Sequence, residues 1–113
     1  MVDSIKKVNV LGVTWQVKES NERSDKKLKE CDGYCDDSVK VCVVHDMTEP
    51  SLMAKSNLDE YKKKVIRHEL IHAFLFESGL SCNSDWADNE EMVDWIAAQF
   101  PKMLAAFQKM NCI

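Results

Sequence analysis

At 113 residues, with 45% hydrophobic and 30% charged residues, the chain has the length and balance of one compact globular domain, 1–113. A formal net charge of −4 without a basic stripe argues against a nucleic-acid binder, and the run Lys62-Lys63-Lys64 reads as the solvated side of a helix. No apolar run approaches the length of a bilayer span and the start, MVDSIKKVNV, lacks a signal-peptide core, so the expectation is a cytoplasmic protein with no membrane partner.

Strand character comes first. Val8 and Val10 alternate with polar neighbours, and Val13, Trp15 and Val17 resume the alternation after Leu11-Gly12. This predicts a hairpin turning there, or one strand with a bulge. Residues 19–30 are highly charged and read as an exposed loop, with room for a short helix. Asp32-Gly33 is a turn signal, and Val39, Val41 and Val43 predict a third strand ending near His45.

The second half is helical. Asn57 is a helix N-cap with Glu60 as its capping-box partner, and Gly79 supplies the left-handed residue after the last turn. The expected inward stripe is Leu58, Tyr61, Val65, His68, His72 and Leu75. A last helical region starts near Asp85, with Trp86, Glu90, Val93, Ala97, Phe100, Leu104 and Phe107 facing inward. Pro101 should kink it, or open a new helix. The expected fold is α+β: a small three-stranded sheet packed on a central helix, followed by a C-terminal helical region.

The central helix carries Arg67-His68-Glu69-Leu70-Ile71-His72, an HExxH pattern. Residues four apart share a helix face, so both imidazoles can reach one metal ion. Glu69 is rotated about 100° from His68. It suits a general base acting on a water in an open metal position better than a ligand. The chain has three histidines and two of them form this pair, in strongly apolar surroundings that a surface helix does not need. Zinc suits nitrogen and oxygen donors in such a site, and a catalytic zinc takes three protein ligands plus water. Glu90, on the inward stripe of the last helix, is the expected third ligand, with Glu91 as its rival. Asp94, one turn on, can fix the tautomer of a ligand histidine. Among groups able to stabilise an oxyanion, Tyr34, His45 and Arg67 are the candidates by residue type. Trp86 and Trp95 read as helix-packing groups.

Five cysteines, an odd count, with no secretory signal favour free thiols. Cys31 and Cys35 have a spacing that zinc accepts, but no second pair follows, so both read as incidental thiols.

HELIH followed by NEEMVD resembles the gluzincin clan of metallopeptidases, in which the second motif's glutamate completes the zinc site and its aspartate supports a ligand histidine. That likeness covers the two helices. Over most of its length the chain looks like the ImmA/IrrE-like peptidase group and small HExxH proteins of phages and prophages, through RHELIHAFLFESGL and NEEMVDWIA. The resemblance implies a zinc endopeptidase acting on a protein or peptide, with a repressor or regulator in a phage or mobile-element setting as the expected target. One departure is the lack of a recognisable second domain to wall a large substrate cleft. Two other readings stand beside it: a non-catalytic zinc-stabilised protein-interaction module, and a hydrolase of something other than peptides.

Overall fold

The computed structural model describes residues 4–48 and 57–113. It is α+β, with a mixed sheet of four strands, one more than the sequence pattern predicts. Strands β1 (Ile5–Val10), β2 (Val13–Ser20), β3 (Gly33–Asp36) and β4 (Val41–His45) lie in the order β1-β2-β4-β3. β1 and β2 form the expected hairpin, with Val10 opposite Val13. Leu11 and Gly12 both take positive φ, 52° and 92°, the geometry of a two-residue turn matched to strand twist. The Asn9 side chain accepts from the Gly12 N–H at 2.9 Å and holds the turn.

β2 pairs parallel to β4, and β4 antiparallel to β3, so β3 is an edge strand. The charged segment after β2 contains one 3-10 turn, Lys26–Lys29, which buries Leu28 and is capped by the Asp25 side chain. The third predicted strand starts later than its alternation suggests. Lys40 sits at φ 59°, which ends the turn before β4 and leaves Val39 62% exposed.

Helix α1 spans Leu58–Glu77, with the Asn57 side chain accepting from the Glu60 N–H and Gly79 left-handed just beyond its end. It packs on β4 and β3 along one side and on the last helix along another. Its buried line is Val65, Glu69 and Ala73, one position on from the line His68–His72. A helix shared between a sheet and another helix buries the line facing the sheet most deeply. The histidines flank that line and face the groove between the two partners.

A short helix α2 (Leu80–Asn83) and a 3-10 turn (Asp85–Asp88) lead to α3 (Glu90–Lys109). α3 runs through Pro101 as a single element, so no new helix opens there. Its buried positions are Val93 and Ala97, and no residue after Ala97 in α3 is buried. Trp86 and Trp95 are 56% and 58% exposed, not packed between helices as expected. The core gathers Val10, Trp15, Cys42 and Ala73, with Val8, Leu70 and Phe76 packed against it. No helix among the described residues is long and apolar enough to cross a membrane.

Candidate metal centre

The N-terminal end of α3 is brought against the middle of α1. Asn89 caps α3, its side chain accepting from the Met92 N–H at 2.7 Å. This fixes Glu90 as the first helical residue, where the helix dipole favours a carboxylate. The Glu90 carboxylate then bridges the two imidazoles: Oε2 lies 2.9 Å from His68 Nε2 and Oε1 lies 2.8 Å from His72 Nε2. His68, His72 and Glu90 each offer one donor atom within 4.8 Å of the others, a group that could hold a metal ion. Glu91 is not part of it.

The chemistry of the donors fits such an ion. Two nitrogens and one carboxylate oxygen are a zinc-type set, and tetrahedral bonds of about 2.0–2.2 Å would place donors roughly 3.4 Å apart. Both imidazoles turn the same ring nitrogen inward, with ring centroids 5.0 Å apart. Burial lowers the pKa of His72, although Glu90 pulls the other way. The ring is therefore held toward the neutral form that binds metal.

Behind His68, its Nδ1 lies 3.2 Å from Asp94 Oδ1, and the other oxygen of Asp94 lies 3.3 Å from Lys64 Nζ. Burial works to raise the Asp94 carboxyl, but Lys64 and His68 outweigh it and hold the pKa down. An anionic Asp94 that accepts from Nδ1–H leaves the Nε2 lone pair free to bind a metal ion on the Glu90 side.

Glu69 points to the sheet side of the same cleft and is 6% exposed. Burial pushes its carboxyl upward, reinforced by Glu90 and opposed by His68 and by the Cys35 thiol. Gly33 makes this approach possible. A Cβ there would meet the Val43 carbonyl and Val65 Cγ1 at 3.0 Å and Glu69 Cγ at 3.2 Å.

His68, Glu69, His72 and Glu90 line one cleft of about 390 Å³, together with Gly33, Tyr34, Cys35, Asp37, Ser81 and Asp88. That volume lies in the range of small-molecule and peptide side-chain sites. Of the oxyanion candidates, Tyr34 reaches this cleft, with its hydroxyl donating to Asp25. Burial and Asp25 raise its pKa, so the O–H stays protonated. His45 does not line the cleft. Its Nδ1 accepts from the Met47 N–H at 2.8 Å, and its Nε2 lies 3.6 Å from Glu22. Arg67 is turned to α3, where its Nε–H donates to the Ala97 carbonyl at 2.7 Å.

Gly33 and Cys35 are the site residues that sequence reasoning missed. The signal was their spacing of two, the period of one strand face. Comparison with protein-family models, curated proteins and solved structures found no match for this chain.

Proposed function

We propose that the chain is a zinc-dependent endopeptidase of gluzincin type that hydrolyses a protein substrate. One observation carries the reading: two imidazoles four residues apart converge on the Glu90 carboxylate while the Glu69 carboxyl lies buried beside them. Histidine–carboxylate ion pairs alone have no use for a second, buried carboxyl at the same cleft. His68, His72 and Glu90 are the ligands, and Asp94 orients His68. A zinc ion held there would supply Lewis acidity and would lower the pKa of a bound water to about 7. Glu69 is the group placed to accept a proton from an attacking water and to return it to the leaving amine. The apolar wall of α1 and the sheet limits bulk water around Glu69, which strengthens the electrostatics of the proton transfer.

β3 supports a peptide substrate in particular. It is an edge strand, and Gly33, Tyr34 and Cys35 line the cleft, so an extended peptide adding to that edge would run past Glu69. A repressor or regulator in a phage or mobile-element setting is the proposed target.

The test is metal analysis of the purified protein, followed by a cleavage screen on peptide libraries and candidate repressors. About one zinc per chain is expected. Glu69→Gln should keep zinc and fold and lose nearly all turnover, while His72→Ala should lose both zinc and turnover. If wild-type cleavage never exceeds that of Glu69→Gln while zinc is bound, the enzyme reading fails and the zinc-stabilised interaction module replaces it.

A further inference from the structure

Two thiols lie directly under the Glu69 turn, and the reaction above does not use them. Cys35 on β3 and Cys42 on β4 are opposite each other in the antiparallel ladder. Their class follows from the register. The His45 N–H donates to the Asp32 carbonyl at 2.8 Å, which makes 32 and 45 a hydrogen-bonded pair. Such pairs alternate along an antiparallel ladder, so 34–43 and 36–41 are hydrogen-bonded and 35–42 is not. Non-hydrogen-bonded partners bring their Cα atoms to about 4.5 Å, inside the range a disulfide spans.

The side chains already meet. The two sulfurs are 3.3 Å apart, and both cysteines are free. A bond needs the sulfurs at about 2.05 Å, and at the Cα spacing of a non-hydrogen-bonded pair side-chain torsion can supply that approach. Both S–H groups are aimed at the same acceptor, the Glu69 carbonyl, at 3.0 Å from Cys35 and 3.5 Å from Cys42. Cys35 also lies 3.6 Å from the Glu69 carboxylate. Access differs between them. Cys35 lines the open cleft, whereas Cys42 is fully buried.

We propose that Cys35 and Cys42 form an oxidation site, at which a peroxide makes a cross-strand disulfide beneath Glu69 and a small thiol reverses it. The Cys35 thiolate attacks one peroxide oxygen. The O–O bond breaks, the sulfur gives up two electrons, and a sulfenic acid and water result. The Cys42 thiolate then attacks the Cys35 sulfur. The S–O bond breaks, a second water leaves, and the S–S bond forms. Reduction takes two thiol equivalents, which depart as their own disulfide. Crosslinking strips the Glu69 carbonyl and carboxylate of their S–H donors, so the oxidised and reduced chains differ at the cleft floor. The Cys42 contact and burial raise the Cys35 thiol's pKa, so the first step is slow and suits a small, uncharged oxidant that can enter the cleft. None of this requires a bound metal.

The experiment uses the full chain and a variant with Cys31, Cys82 and Cys112 all changed to Ser. Each is treated with hydrogen peroxide, unfolded, alkylated and digested without reduction. The expected product is one peptide pair joined through Cys35 and Cys42, reversed by dithiothreitol. The triple variant should lose the mass of two hydrogens as a monomer. In Cys42→Ala, Cys35 should instead be trapped by dimedone as a sulfenic acid. Recovery of Cys35 and Cys42 as alkylated thiols while Cys82 and Cys112 have oxidised would overturn the proposal. So would a crosslink from Cys35 to Cys31. Because wild type itself carries the linkage test, poor folding of a variant does not protect the idea.

Discussion

Arg67 on α1 donates its Nε–H, at 2.7 Å, to the carbonyl of Ala97 on α3, the acceptor that Pro101 leaves without a partner. In an uninterrupted helix that carbonyl would take the N–H of residue 101, and proline has none. The guanidinium fills the vacancy and pins α3 against the helix that carries His68 and His72. Arg67→Ala should therefore lower stability by about 1.5–3 kcal/mol, the range for a hydrogen bond from a charged group. In a Pro101→Ala background the backbone N–H is restored, and the same change should cost clearly less. Denaturant unfolding of the four proteins in this cycle reads the coupling. Strictly additive losses would mean that Arg67 acts only through its aliphatic stem.

Gly33→Ala tests how closely α1 approaches β3. The added methyl would sit 3.0 Å from the Val43 carbonyl oxygen, a backbone atom of the central sheet that cannot swing aside. It would also press on Val65 Cγ1 at 3.0 Å and Glu69 Cγ at 3.2 Å. Overpacking of this kind costs about 1–3 kcal/mol. Urea unfolding should show that loss. A wild-type midpoint for Gly33→Ala would show that helix and strand are not held at this spacing.

Acid should weaken the far end of the cleft through Glu77. Its Oε1 accepts from Lys40 Nζ at 2.6 Å and from Trp15 Nε1 at 3.0 Å, and Lys40 lies over the Phe76 ring. The Lys40 hydrogen bond leads in lowering the Glu77 pKa, with Trp15 adding to it. The folded pKa is below the unfolded one, so the unfolded state binds the proton more readily. The stabilisation is then complete above the unfolded value of about 4.3 and fades as pH falls through the folded value. Glu77→Gln keeps an acceptor for Trp15 but cannot titrate. Its unfolding midpoint should fall less steeply than wild type's from about pH 5 to pH 3. Parallel slopes would remove Glu77 from the acid response.

The candidate metal group is legible because each member obeys helix periodicity. His68 and His72 are one turn apart, Glu90 follows a cap, and Asp94 is one turn beyond it. What the pattern misplaced was the buried line of α1. Glu69 occupies a core position between Val65 and Ala73, and a carboxylate there looks polar and outward in a hydrophobicity pattern. β3 was hidden for a related reason. Gly-Tyr-Cys-Asp has no apolar alternation, since the face toward α1 has room only for a glycine and a thiol. Arg67 was read as a candidate for the site. Its real partner was implied by Pro101, four residues after Ala97, once that carbonyl is counted as lacking a donor. Trp86 is on the expected stripe but sits in the 3-10 turn before α3, and Trp95 is two residues from Val93 and so on the opposite face of α3; both are exposed.

Asp94 gives the sharpest separation between a metal-supporting role and an ordinary surface ion pair. One oxygen lies 3.2 Å from His68 Nδ1, and the other faces Lys64 at 3.3 Å. If the contact with His68 sets the tautomer and orientation of the ring, removing it frees the imidazole to turn or to carry its proton on Nε2. Asp94→Ala should then weaken zinc binding by about 10–100-fold without abolishing it, the usual size for a group behind a ligand. Asp94→Asn keeps an oxygen acceptor for Nδ1–H but drops the charge, and should fall between Ala and wild type. Lys64→Ala removes the part-exposed ion pair with Asp94, worth about 0–1 kcal/mol in stability, and a contact over the Tyr61 ring, and should leave zinc affinity nearly unchanged. Glu91→Ala, next to the proposed ligand but outside the donor group, is the matched control and should bind zinc as wild type does. Competition titration with a chelating dye measures all four. Equal affinities for Asp94→Ala and wild type would reduce Asp94 to a partner of Lys64, and His68 would have to hold its orientation through packing alone.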